Sequence, residues 1–523
     1  MIAPIGPIEA VFVLLVVATA LSYLARRFRV AEPILLLFGG VVLGLLPAIP
    51  RITLEPDLVF LLFLPPILFA AAYFTPIRDF KANARPILLL AIGLVLFTTV
   101  IVAAVAHVLI PDMAWPVALT LGAIVAPPDA VAATAVLQRL GVPRRVVTIL
   151  EGESLINDAS ALIVYRTAIS FVVTGSLSLV VAGAQFVAVS VGGLIVGAIV
   201  GSIVTRMLNK TGDPTLEVIV TLIAPIASYL AAEQVGASGV LATVVAGLMT
   251  GRRGARVLSP DARLMGRGVW QTVIWAINSF VFMLIGLQLP TIWAALSDWA
   301  PGELIALGVA VAGATIVARF LWVFPATYLP RYVSTKLRTF DSPPPWRAVF
   351  LVSWAGMRGV VSLAAALALP QDFPHRDLIL FLTFCVILGT LVGQGLTLPL
   401  IVRRLGIVVV DSADAEEAQA RLAAVEAALA RLEELRESYP DHLPLIDQMR
   451  DGFDHEASHV WPHAEEPADE AERELIDHRA IRLEVVAVQR DAVIRLRDDG
   501  IINDATLRRI ERDLDLEALR AGV

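Results

Sequence analysis

Gly152-Glu153-Ser154-Leu155-Ile156-Asn157-Asp158-Ala159 leads into a largely apolar run from Ala161 to Val173. An ionised aspartate at mid-bilayer depth costs at least about 2.5–3.5 kcal/mol, so it is rarely there without a task. On a helix Ser154 and Asp158 stand four apart, and Glu153 and Asn157 pair on the neighbouring stripe. The result is an oxygen-rich face in an apolar helix, suited to a small cation or a proton.

Composition places that helix in a membrane. Mean hydropathy is +0.76 for the whole chain, but the two ends are unlike. Residues 1–410 carry 27 Arg and Lys against 19 Asp and Glu, a net of +8. Residues 411–523 carry 14 Arg against 29 acids, a net of −15, and the two sum to −7. The expected organisation is a polytopic membrane domain over 1–410 and an acidic helical cytoplasmic domain over 411–523. The basic n-region of a cleavable signal is missing from Met1–Pro7, so the first helix is expected to be retained. Cys385 sits in an apolar segment and reads as a small buried hydrophobe. No dinucleotide glycine fingerprint or thiol–metal spacing occurs, and no cofactor is expected.

Apolar stretches fall near 5–25, 31–49, 57–75, 86–110, 116–138, 147–174, 178–206, 214–233, 237–250, 270–290, 303–328, 347–370 and 377–402, thirteen in all. The piece at 237–250 is the shortest. One set of alternate loops holds 22 basic residues, among them Arg26, Arg27, Arg78, Lys81, Arg144, Arg145, Arg252, Arg253, Arg403 and Arg404. The opposite loops hold two, Arg51 and Arg376. The basic side is expected to be cytoplasmic, with the N-terminus outside and the tail inside. Arg166, Arg319 and Arg358 remain within spans, where an arginine needs a partner or a water-filled cavity. Arg166 reads equally well as snorkelling towards the outer surface.

Two spans carry breakers. One reads Gly122-Ala123-Ile124-Val125-Ala126-Pro127-Pro128-Asp129, the other Ser353-Trp354-Ala355-Gly356-Met357-Arg358-Gly359. Adjacent prolines remove two donors, and irregular backbone at membrane depth is tolerated only beside protein or a cavity. A proline kink or a glycine packing notch accounts for either break taken singly; Asp129 and Arg358 at the breaks weigh against that. These spans are the fifth of two six-span units, the second beginning near 214, which points to a transporter site between inverted repeats.

The runs Gly122–Val131, Leu140-Gly141-Val142-Pro143 and Glu151–Ala159 resemble the monovalent cation/proton antiporters of the NhaP and animal Na+/H+ exchanger type. Phe63-Leu64-Pro65-Pro66, Gly356-Met357-Arg358-Gly359 and Phe282–Leu287 support the resemblance, which covers the membrane domain. It implies an all-α fold of about thirteen transmembrane helices in two inverted six-helix repeats with crossed broken helices, working as a homodimer. It also implies that Asp158 is the ion- and proton-binding carboxylate, with Ser154 and Asp129 as neighbouring ion oxygens. Glu153, Asn157 and Arg358 would brace the site, with Glu153 expected to pair with Arg358, and Arg319, Pro127 and Pro128 would be structural. Two departures stand out. Ala70 replaces an acid frequent in the family, and Pro128 stands where many members have Thr, so an exposed carbonyl or water would replace the hydroxyl.

The expected activity is exchange of Na+, also Li+, for H+ across the cell membrane, serving pH and sodium homeostasis; K+ stays open. Asn157 is uncharged, which within the resemblance implies one cation per proton. A cation channel, or a transporter-like sensor with the tail as output, are the other readings. In the tail, Leu422, Val425, Leu432 and Leu435 recur at helical spacing in 411–437, and further helices are expected near 468–498 and 503–520. His455, His459 and His463 read as solvated loop residues, with a pH sensor or weak metal site as the lesser reading. The negative tail argues against nucleic acid or anionic lipid as partners.

Overall fold

In lipid a backbone donor or acceptor has no water to pair with, so apolar stretches fold into helices that satisfy these groups internally. The computed structural model describes residues 7–28, 31–46, 59–176, 178–334, 341, 343–407, 412–460, 468–499, 501 and 504–522. Every regular element among them is helical. The chain divides into two compact units, Met1–Val408 and Val409–Val523.

The first unit begins with Pro7–Phe28, Glu32–Gly44 and Leu64–Phe74, the last reached through a π-helical turn at Val59–Phe63. The short helices Ile77–Ala82 and Ala84–Leu88 follow, and a second π turn, Leu89–Leu94, leads into Val95–Leu109. Next come two half-helices, Trp115–Val125 and Ala130–Arg139, and the long helices Arg144–Thr174, Leu179–Thr211, Pro214–Gln234, Gly239–Val257, Pro260–Ala295 and Pro301–Val333. A second pair of halves, Trp346–Trp354 and Val360–Leu367, precedes Arg376–Leu388, which runs through a third π turn, Gly389–Gln394, into Gly395–Leu405. Among the described residues eight helical runs are long and apolar enough to cross a membrane. The stretch expected to end near 250 continues to Val257, past Arg252 and Arg253. Cations suit the carbonyl end of a helix, and Arg253 there donates to the Thr205 hydroxyl at 3.2 Å.

Helix starts follow local chemistry. Asp213 accepts from the N–H groups of Thr215 and Leu216, and Ser238 and Ser259 cap the helices that follow them. Losing such a cap typically costs about 1 kcal/mol. Outer faces are apolar: Val180, Val187, Ile195 and Ile199 are all more than half exposed on Leu179–Thr211, as a lipid-facing stripe requires. Inside, lipid supplies no hydrophobic drive between helices, so close packing must hold them. Glu32–Gly44 and Pro260–Ala295 meet through glycines. A Cβ at Gly40 would lie 2.0 Å from the Met283 carbonyl oxygen, and one at Gly286 2.0 Å from that of Leu37.

The second unit contains Ser412–Ser438, Leu443–Val460, Ala468–Asp498 and Asp504–Gly522. Val425 and Leu432 are buried, as their helical spacing implies. The segment read as a loop is instead helical through His455 and His459, and Pro444 sits in its tolerated first turn; Pro462, on which the loop reading rested, lies outside the described residues. His463 lies outside the described residues.

Candidate functional site

A cavity of about 840 Å³ runs along one face of Arg144–Thr174. That helix contributes Arg144, Glu151, Ser154, Leu155 and Asp158 to its wall. Arg144 and Asp158 are fourteen positions apart, about 21 Å along the axis. The outer end is marked by Phe74, Thr75, Arg144 and Arg267, which adjoin the arginine-rich loops. The inner end gathers Asp129, Ser154, Asp158 and Ser362. Two carboxylates and two hydroxyls therefore gather at that end, an all-oxygen set suited to a hard monovalent cation or a proton.

The helical register sorts the four polar residues as their spacing implies. Asp158 is 6% exposed, whereas Glu153 and Asn157 on the adjacent stripe are sealed from solvent. Asn157 donates its amide N–H to the Pro128 carbonyl at 2.8 Å. The Ser154 hydroxyl accepts from the Ala130 N–H at 3.4 Å. Both bonds tie the Asp158 helix to the first break, and the second also satisfies an orphan donor at the start of Ala130–Arg139.

The two breaks meet. The Asp129 N–H donates to the Met357 carbonyl at 2.7 Å. Arg358 donates through Nε to the Val125 carbonyl at 3.1 Å, through Nη2 to that of Ala126 at 3.4 Å, and through Nη1 to that of Gly356. Its own N–H reaches the Thr390 hydroxyl at 3.0 Å. The first half-helix ends in carbonyls with no partner in the helix and a partial negative charge, and the guanidinium covers them. A Cβ at Gly359 would stand 2.0 Å from Asp129 Oδ2, so only glycine lets the breaks come this close without displacing that carboxylate.

The expected Glu153–Arg358 pair is corrected by this geometry. Glu153 is held by Arg319 in a two-pronged pair, Nη1 to Oε1 at 2.6 Å and Nη2 to Oε2 at 2.7 Å, with both side chains buried. Arg319 also donates through Nε to the Val352 carbonyl at 3.1 Å. Pro301–Val333 presents its arginine in the plane of the carboxylate, a fit the guanidinium fork rewards, while Arg358 is committed to the carbonyl end opposite it. Arg166 pairs with Glu233 of Pro214–Gln234 at 3.1 Å.

The family model for "sodium/hydrogen exchanger, transmembrane" matches residues 12–404. The chain belongs to the sodium/hydrogen exchanger family. It is 34% identical to an uncharacterized Na+/H+ exchanger of Mycobacterium tuberculosis over 98% of this chain and 95% of that protein. It is also 34% identical to a sodium, potassium, lithium and rubidium/H+ antiporter of Bacillus pumilus, over 75% of this chain and 61% of the relative. The sodium proton antiporter MjNhaP1 of Methanocaldococcus jannaschii shares the fold, with a TM-score of 0.59 at 18% identity over 76% of this chain and 98% of that one. The exchanger is thus a multi-pass secondary transporter, not an enzyme.

Both departures from the family pattern fall on the exchanger's cavity. Ala70 and Pro128 line it, so a methyl group faces the chamber where an acid is frequent. The Pro128 carbonyl is already engaged by Asn157. Sequence reasoning missed the opposite wall, Arg267, Gln271, Trp275 and Asn278 of Pro260–Ala295. The signal was there: these positions advance by four, four and three, one polar stripe on an otherwise apolar helix.

Proposed function

We propose that the exchanger trades one Na+, also Li+, for one H+ across the cell membrane, with Asp158 binding either ion and Ser154 and Asp129 as neighbouring oxygens. The observation that carries this reading is the position of Asp158 at the inner end of a chamber that follows its helix from one surface. A proton and a cation that share one carboxylate displace each other, so a single site suffices for coupling. Beyond Asp158 the same helix packs Ala159 and Leu162 against Tyr229, Val240 and Val244. An apolar seal behind a chamber approached from the other end supports alternating access over a continuous channel. Moving one half of the membrane unit against the other would expose Asp158 to the opposite side.

In this reading the basic loops are cytoplasmic, the N-terminus is outside, thirteen helices cross and two chains form a homodimer. The exchanger then serves pH and sodium homeostasis. Asn157, uncharged and turned onto a carbonyl, adds no second titrating acid, which supports electroneutral exchange. K+ is the second reading, favoured by Ala70, since a wall short of one acid suits a larger, less strongly hydrated cation.

The test is flux in proteoliposomes with Na+, Li+ and K+. Asp158→Asn should insert and fold but abolish exchange, because an amide does not exchange a proton near neutral pH. Wild-type exchange should neither build nor respond to a membrane potential. PH-dependent Na+ flux in Asp158→Asn would sink the assignment, and a rate that shifts under a clamped potential would overturn the one-for-one ratio.

A further inference from the structure

A separate cavity of about 80 Å³ lies where Ala84–Leu88, Arg144–Thr174, Pro301–Val333 and Trp346–Trp354 come together, beside the basic loops. Three arginines line it, Arg85, Arg145 and Arg331. Leu89 and Ile149 follow Arg85 and Arg145 by four positions, and Val323 precedes Arg331 by eight, so the wall turns apolar a turn or two further in. Asp341 bridges Arg145 and Arg331. Arg331 spends its other donors on the carbonyls of Thr327 and Asp341, and Arg145 donates through Nε to Asn83 at 3.0 Å. Arg85 differs from both. It is half-buried and within electrostatic reach of Arg331 and Asp341, yet among the described residues its guanidinium makes no hydrogen bond or ion pair. Three cations thus stand against one carboxylate, and a five-donor fork is unengaged at the cavity wall. We propose that this pocket binds the phosphate of an anionic phospholipid, with Arg85 as its two-pronged donor.

The surroundings favour a lipid over a soluble anion. Tyr332, 90% exposed, and Trp346, 55% exposed, flank the pocket's arginines in sequence, as aromatic residues do at headgroup level. Leu88 and Leu329 beside them are also exposed, an apolar flank that acyl chains would cover. Basic pockets between membrane helices are recurrent sites for anionic headgroups. The acidic charge of residues 411–523 belongs to the other unit, whereas residues 1–410 carry a net +8. The Val352 carbonyl on the same wall accepts from Arg319, and Ile149 precedes Glu153 by one turn. A bound headgroup would therefore fasten the four elements next to the buried Glu153–Arg319 pair, and a ligand held only by the folded protein raises its melting temperature.

The full chain is delipidated in detergent and titrated with phosphatidylglycerol, phosphatidylcholine or inorganic phosphate. Melting temperature and, by native mass spectrometry, retained lipid are read for wild type, Arg85→Gln and Arg85→Lys. Arg206→Gln, at an exposed arginine elsewhere on the basic side, controls for the loss of any one charge. Phosphatidylglycerol should raise the wild-type melting temperature and stay bound, where phosphatidylcholine and inorganic phosphate do neither. Arg85→Gln should need at least about five-fold more phosphatidylglycerol for the same rise. Arg85→Lys, which keeps the charge but loses the fork, should fall between, and Arg206→Gln should titrate as wild type. Equal rises with both lipids overturn the proposal, as does an Arg85→Gln titration like that of wild type or an equal weakening in Arg206→Gln. A lower lipid-free melting temperature with an unchanged lipid titration marks a structural arginine and also overturns it. A rise with inorganic phosphate as large as with phosphatidylglycerol assigns the pocket to a soluble anion instead. If Arg85→Gln does not fold, Arg85→Lys decides, and wild-type affinity there overturns the role of the fork.

Discussion

Between Val125 and Ala130 the helix is interrupted by Pro127 and Pro128, whereas between Trp354 and Val360 it is interrupted around Gly356 and Gly359. Prolines open the backbone by withholding donors; here they leave carbonyls that Arg358 and Asn157 cover, and they set Asp129 at the chamber. The glycines act by withholding side chains. A Cβ at Gly356 would lie 2.4 Å from Arg319 Cδ, and one at Gly359 would strike Asp129. One break supplies oxygen, and the other supplies room and positive charge. Their charges also serve differently. Arg319 neutralises a buried carboxylate and ties it to the second break through the Val352 carbonyl, whereas Arg358 caps a helix end with no carboxylate in ion-pair contact among the described residues.

That contrast gives an order of effects. Arg319→Ala strands the buried Glu153 charge and should destabilise by about 3–5 kcal/mol, read as a drop in melting temperature in detergent. Adding Glu153→Gln should recover part of the loss, and strictly additive effects would mean that the pair is not the fastener it looks like. Arg358→Ala leaves carbonyls rather than a carboxylate unpaired and should cost less, about 1–3 kcal/mol in the same assay. A larger loss than for Arg319→Ala would reverse the assigned roles of the two arginines.

The smallest effect is expected outside both breaks, and it sets the scale for a pair that water still reaches. Asp341 bridges Arg145 at 2.8 Å and Arg331. Partial burial raises its pKa, but the bonds and charges of Arg145 and Arg331 outweigh that and hold it below the ordinary 3.8. A depressed folded value means stability present above the unfolded value and lost as pH falls through the folded one. Asp341→Asn should therefore cost at most about 1 kcal/mol at neutral pH. The gap to wild type should close on acidification below pH ~4; a gap that persists in acid would show that the bridge is not electrostatic.

The parts of the site legible in the sequence were those that violate their surroundings. Asp158 and Ser154 stand out in an apolar run, and Pro127-Pro128-Asp129 cannot continue a helix. Partner choice was not legible, because each intramembrane arginine needs countercharge or carbonyls, and composition does not say which helix faces which. Arg319 lies in an unbroken apolar helix and gave no second signal, so Arg358, beside its glycines, drew the assignment that belongs to its neighbour. The polar stripe on Pro260–Ala295 was readable in principle, but it mixes Trp275 with amides and one arginine near the helix start, and nothing marks such a stripe as a wall until a cavity lies beside it. In the tail, proline and histidines suggested a loop where Leu443–Val460 is helical.

The π turn at Gly389–Gln394 has a consequence for how the last long helix can be edited. Such a turn stores roughly one surplus residue relative to α geometry, and each residue of an α-helix advances the azimuth by about 100°. Thr390, inside the turn, is wholly buried and receives the Arg358 N–H, while Leu396 and Leu400 beyond it are about half exposed. Winding the same residues as regular α-helix would leave the preceding segment where it is and swing everything after it by about 100°, more than a quarter of a revolution, whereas deleting the surplus residue would keep that bearing. Leu398 and Val402, now buried, would face outward, and the amino acids unchanged in type would be wrong in bearing. The surplus residue thus works as a phase shifter, letting one rod serve the arginine at its middle and still present its greasy side to lipid at its end.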